Sequence, residues 1–186
     1  ASLPVERAPG DTSLYCTGGV VLLGEIISQA TGMRVDRFAE LYLFKPLAIE
    51  NVRWSYFKND EKVDTGGHLS LTPRDLCKIG QLILNQGKWE NHQVISKNWI
   101  DTATSEQVRL AGKIPYGYLW WRNSFKFKEK KLDAIHTRGN GGQYLFIFPF
   151  LKLVVVFTGG NYNSPKMEMP FEIIDKVVLP SQPELD

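Results

Sequence analysis

The spacing of apolar and polar positions changes period once along the chain, near Tyr116. Before that point the apolar residues recur at helical intervals. Over Thr17 to Thr31, Val20, Leu23, Ile27 and Ala30 form one stripe, and Val21, Leu22 and Ile26 widen it. So broad an apolar face predicts a largely buried helix, stopped by Gly32. A second helix is expected over Val35 to Leu43, with Phe38, Leu41 and Tyr42 inward and its end ahead of Pro46. Ala48 to Leu71 has no regular period. Thr72-Pro73-Arg74-Asp75 is a helix start: Thr72 can cap, Pro73 suits the first position, and Asp75 can answer the cap. Leu76, Ile79 and Ile83 give that helix a buried stripe, and Gly87 ends it. Ser96 caps a further helix through Trp99 and Ile100.

From Tyr116 onward, "YGYLWWR", "LDAIHTR", "QYLFIFP" and "LVVVFTG" are short, aromatic or β-branched, and divided by turn residues. Gly139-Asn140-Gly141-Gly142 predicts a tight turn between two strands. Gln143 to Pro149 and Lys152 to Gly159 are expected to pair antiparallel across the short Phe150-Leu151 link. A helix over Phe171 to Val178 closes the pattern. Helices, then an antiparallel meander, then a final helix predict an α+β fold, with a helical region over 1–115 and strands plus helix over 116–186.

Composition adds bounds. The chain has 186 residues, 43% apolar and 23% charged, with a net charge of +2. These are values of a globular protein, and the charge offers nothing to draw in nucleic acid. No apolar run is long enough to span a bilayer. Cys16 and Cys77 adjoin apolar helical patterns and read as free buried thiols, a disulfide being the alternative. His68, His92 and His136 have no metal-ligand spacing, so no metal is expected. There is no initiator Met, and "ASLPVERAPGDT" reads as an internal loop, so a processed or truncated chain is expected.

The candidate chemistry begins at Tyr15-Cys16-Thr17, where a polar loop meets the first helix. A tyrosine there serves either as a buried ring with a satisfied hydroxyl or as a proton-transfer group. "GGVVLLGEIISQATG", "FAELYLFKPLAIENVRW", "GGHLSLTPRDLCKIGQLILNQGKW", "YGYLWW" and "GNGGQYLFIFP" follow in that order. This ordered set resembles the C-terminal half of the serine β-lactamase-like family, which includes class C β-lactamases, penicillin-binding DD-peptidases and related esterases.

The resemblance implies three motifs. Tyr15 matches the tyrosine of Tyr-x-Asn and is the implied catalytic residue, with Thr17 where Asn is usual. Thr17 can still exchange a hydrogen bond but lacks the reach of an amide. The Lys/His-Thr/Ser-Gly motif falls in His136 to Gly139, where Arg138 interrupts it; Asn140-Gly141-Gly142 is another alignment. His136, Thr137, Gly139 and Asn140 are therefore the implied substrate-binding residues, beside Thr17. Ser-x-x-Lys is absent upstream of Tyr15. Ser55-Tyr56-Phe57-Lys58 is a chance match in an irregular stretch, where no helix sets the lysine one turn from the serine.

The implied function is that of a fragment of a serine hydrolase. It would act on amide or ester bonds, as in a β-lactam, a D-Ala-D-Ala-like peptide or a small ester, through an acyl-enzyme and without a cofactor. Its implied partners are such a substrate and the missing N-terminal segment. The chain alone is expected to be inactive and poorly stable, and the resemblance implies a periplasmic or secreted location. The alternative is a non-catalytic protein binding a cell-wall peptide or a protein in the same cleft. Two further stretches have plain readings: Gly141-Gly142-Gln143 as a hairpin turn, and "FKFKEKK" as an exposed hairpin with lysines on one face, a binding patch for an acidic partner being the alternative.

Overall fold

The computed structural model describes residues 4, 7, 8, 10–57 and 62–183. Helix α1 spans Thr17–Thr31 and ends at Gly32, whose φ of +67° is a left-handed cap that a side chain would strain. Helix α2, Val35–Ala39, runs on into a wide π-helical turn, Glu40–Phe44. Helix α3, Pro73–Leu84, starts as its sequence requires: the Thr72 hydroxyl accepts from the Asp75 N–H at 3.1 Å and donates to the Asp75 carboxylate at 2.7 Å. A small ribbon follows, β1 Lys88–Trp89 with β2 His92–Gln93. Helix α4, Lys97–Thr104, is capped by the Ser96 hydroxyl, which accepts from the Trp99 N–H at 3.2 Å.

A six-stranded antiparallel sheet then forms in sequence order. Its strands are β3 Val108–Leu110, β4 Ile114–Tyr116, β5 Trp121–Phe127, β6 Lys130–Gly139, β7 Gln143–Phe148 and β8 Leu153–Phe157. The sheet thus takes in two short strands that begin ahead of Tyr116. β7 and β8 pair from Tyr144↔Phe157 to Phe148↔Leu153, as their unbroken apolar character implies. Helix α5, Met169–Ile173, continues into a π-helical turn, Ile174–Val178.

The sheet is covered on both faces, which is why β7 is buried at every position from Tyr144 to Phe148. On one face Phe125, Leu132, Ala134, Tyr144, Phe146 and Phe148 pack with Phe171, Ile174 and Leu179 from the C-terminal helix. On the other, Ile135, Leu145 and Ile147 meet Ile83 of α3 and Ile100 of α4. Gly80 brings α3 close, since a β-carbon there would sit 2.6 Å from Val154 and 2.7 Å from Leu145. A third cluster, Phe44, Leu47, Ile49 and Leu82, roots the irregular stretch on α3.

Three sequence expectations are corrected. Helix α1 is not largely buried: Leu22 is 65% and Ile26 59% exposed, and Gly24 is its one buried residue. It rests on its small-residue side, where a β-carbon on Gly24 would lie 2.5 Å from Thr65 and where the Thr65 hydroxyl donates to the Val20 carbonyl at 3.0 Å. On its broad apolar side Leu22, Leu23 and Ile26 stay exposed. Cys16 is likewise exposed, because it lies on the loop leading into α1, and both cysteines are free thiols. Tyr42 points outward, because the π-helical turn resets the register and Phe44 takes the buried place.

Candidate functional site

Tyr15 immediately precedes the N-terminal cap of α1 and is 50% exposed. Its loop is tied to the sheet region by the Ser13 hydroxyl, which donates to the Arg109 carbonyl at 2.8 Å. The ring lies on a wall made by the ends of β4 and β5. Its centroid is 6.3 Å from that of Tyr116, edge-on, and 5.3 Å from that of Trp121. Tyr116 and Trp121 are cross-strand partners and pack edge to face at 5.0 Å. Burial, with the Tyr15 hydroxyl nearby, pushes the Tyr116 phenol up to about 12, so Tyr116 stays protonated across the physiological range.

Trp121 connects Tyr15 to β6. It pairs with His136 across the sheet, and the two rings stack at 6.4 Å. His136 is 3% exposed and is also flanked by Tyr144, Phe146 and Phe171. Burial, aided by Arg138, holds its imidazole down to about 4, so it is neutral at pH 7. Thr137 points to the opposite face of the sheet, where its hydroxyl accepts from the Leu145 N–H at 3.2 Å.

Arg138 overlies this wall, its guanidinium 5.5 Å from the centre of the Trp121 ring. Arg138 forms a short ion pair with Glu168, which also accepts from the Tyr144 hydroxyl at 3.3 Å. Gly139 ends β6 opposite Gln143. Asn140 begins the turn and is held by Asn163, whose N–H and side-chain oxygen bond it at 3.1 and 3.0 Å. Thr17 opens α1 with its methyl group toward Gly66.

The structure therefore groups Tyr15 with Tyr116, Trp121 and Arg138, and reaches His136 through Trp121. Thr17 lies at the same helix start but faces the 64–67 loop. Tyr116, Trp121 and Arg138 were not singled out from the sequence, although the first two stand in "YGYLWW". Their signal is the pairing of two strand ends, which no local pattern displays.

Ser55 lies in an extended ladder in which its carbonyl accepts from the Asp64 N–H at 2.9 Å. Lys58 lies outside the described residues. No three His, Cys, Asp or Glu side chains come together as a metal site among the described residues, and no described helix is long and apolar enough to cross a membrane. A cavity of about 560 Å³ lies elsewhere, between the charged side of α2 and Trp54.

The Beta-lactamase family model matches residues 1–176. A 6-aminohexanoate-dimer hydrolase of Paenarthrobacter ureafaciens is 25% identical over 111 residues, which is 59% of this chain and 28% of that protein. A Bacillus anthracis protein provisionally named 6-aminohexanoate-dimer hydrolase superposes with a TM-score of 0.76 at 22% identity, over 89% of this chain and 43% of that one. A beta-lactamase of Mycobacterium bovis superposes with a TM-score of 0.75 at 16% identity, over 95% of this chain and 66% of that one. The chain spans less than half the length of the first two relatives.

Proposed function

The chain belongs to the Beta-lactamase family, and from that premise we propose that it is the C-terminal part of a serine hydrolase that opens amide or ester carbonyls through an acyl-enzyme. The nucleophile is a serine of a Ser-x-x-Lys element supplied by the rest of the protein. Its oxygen adds to the carbonyl carbon, and its proton passes to the pair formed by Tyr15 and that lysine. The oxyanion is held by backbone N–H groups near the end of β6. Collapse expels the amine or alcohol, which takes the proton. Water then adds to the acyl-enzyme and restores the serine.

In this reading Tyr15 is the catalytic residue of this chain. Gly139 and Asn140 are the substrate-binding positions at the end of β6, with His136 acting through the ring of Trp121, while Thr17 and Thr137 serve the site by holding the α1 start against Gly66 and β6 against Leu145. Linear amides are the first substrates to try, because the relative at 25% identity is named for one. A periplasmic or secreted location and pairing with an N-terminal segment belong to the same proposal.

The observation that carries it is Tyr15 itself: a half-exposed tyrosine, directly ahead of α1, seated on a rigid aromatic wall. A phenol is a weak base at neutral pH without a neighbouring cation, which is why the lysine is required. The test is burst kinetics on the whole protein with a nitrophenyl ester and a linear amide. Tyr15→Phe is expected to slow acylation by ~100-fold or more. The 186-residue chain alone should form no covalent adduct. Full activity in Tyr15→Phe, or covalent labelling of Ser55, overturns the proposal.

A further inference from the structure

β4 and β5 share a single residue pair, Tyr116↔Trp121. Beyond it the β3–β4 and β5–β6 hairpins separate and leave a groove of about 350 Å³. It adjoins the aromatic wall: Pro115 and Arg122, which line it, neighbour Tyr116 and Trp121 in the chain. We propose that this groove binds a small multivalent oxyanion of the phosphate-ester or polycarboxylate class, a site separate from the hydrolase centre.

The lining is rich in cations. Arg109, Lys113, Arg122 and Lys131 face Glu106 and Asp133, with Asn123 and Ser124 between them. The two carboxylates are already engaged. Glu106 takes the Arg109 fork at 2.7 and 2.9 Å. Asp133 accepts from the Ser124 hydroxyl at 2.5 Å, and that bond, more than the nearby cations, holds its carboxyl below the usual range. Lys131 reaches Asp133 only loosely, at 3.6 Å. Lys113 has no carboxylate partner among the described residues.

Two features set the groove apart from an ordinary solvated face. Lys126 and Lys131 are direct cross-strand partners, on the same side as Ser124 and Asp133. Like charges placed opposite one another oppose strand pairing, so Lys131, which lines the groove, sits against an unfavourable partner. Arg122 is also fixed in place. One of its guanidinium nitrogens donates to the Thr104 carbonyl at 2.6 Å, so its orientation is set before any ligand arrives. A dianion would answer both features by bridging the Lys113 and Lys131 ammonium groups and the held guanidinium. No aromatic ring lines the groove, so it has no stacking surface for a nucleobase. Its volume lies at the small end of ligand sites.

The experiment is a nitrogen-15 NMR titration of the protein with pyrophosphate, with citrate, and with sodium chloride at matched ionic strength. Saturable shifts confined to residues 106–115, 122–124 and 131–133 are expected with at least one of the two multivalent anions. A response to pyrophosphate alone assigns the phosphate-ester source, and a response to citrate alone the polycarboxylate source. The double variant Lys113→Ala, Lys131→Ala, which removes two ammonium groups that line the groove, should weaken binding by about tenfold or more without perturbing the rest of the spectrum. Arg122→Lys, which keeps the charge but loses the fork, should weaken it less. Three outcomes overturn the proposal: no saturation with either anion, equal shifts with matched sodium chloride, or unchanged affinity in the double variant. None of these results depends on hydrolase activity.

Discussion

Helix α1 and strand β7 are both apolar stretches, and the protein treats them in opposite ways. Tyr144 to Phe148 of β7 are all buried, between the α5 layer and the α3–α4 layer. Leu22, Leu23, Ile26 and Ile27 of α1 are exposed, and the helix is held by its small-residue side. Apolar surface stabilises a fold only when another surface removes it from water. For β7 that surface comes from elements later and earlier in the same chain. For α1, the broad side around Leu22, Leu23 and Ile26 is left open to water. In the proposed function that face is where the rest of the protein packs.

Four measurements break or sharpen this contrast. The largest effect belongs to the sheet: Phe146→Ala should cost about 3–5 kcal/mol in denaturant unfolding, since the residue is fully buried among rings on both sides. A loss below 1 kcal/mol would mean that β7 is not the centre of the core.

The second is a pH effect. His136 binds a proton more readily when unfolded, because burial holds its folded value down to about 4 from 6.5. Its contribution is therefore present above pH 6.5 and lost as the pH falls toward 4, by up to roughly 3 kcal/mol. Stability measured between those values should fall on acidification, and His136→Phe should flatten that slope. An unchanged slope would remove His136 from the core.

Third, Gly24→Val should destabilise by about 1–3 kcal/mol, because its side chain must displace Thr65. The smallest effect tests the exposed side. Leu22→Ser and Ile26→Ser should each change the stability of this chain by no more than ~0.5 kcal/mol. In the whole protein the same two changes should cost several-fold more. Equal and small effects in both settings would leave the broad face of α1 without a partner.

Much of the fold is legible locally. Thr72, Pro73 and Asp75 announce α3, because a cap is a contact between near neighbours and needs no tertiary partner. Ser96 does the same for α4. The Gly139 to Gly142 turn and the β7–β8 pairing follow from backbone freedom and from strands buried on both faces. Tyr15 stood out for a similar reason, since its position before a helix start is itself a local fact. Tyr116, Trp121 and Arg138 did not, because their meeting depends on how β4, β5 and β6 are registered.

By itself, the sequence determined the helices α1, α3 and α4 and the strands β6 to β8, where α3 and α4 begin, and which family the ordered motifs resemble. Each of these depends on residues a few positions apart. The short strands β1 to β4 and the break between Tyr116 and Trp121 left no local mark. Only the tertiary structure decided which side of α1 is covered, that His136 is enclosed while Thr137 faces the other way, and that Arg138 lies over Trp121. Those outcomes depend on which surfaces meet across the chain. An amphipathic pattern states that a face is apolar; it carries no record of whether a partner is there to bury it.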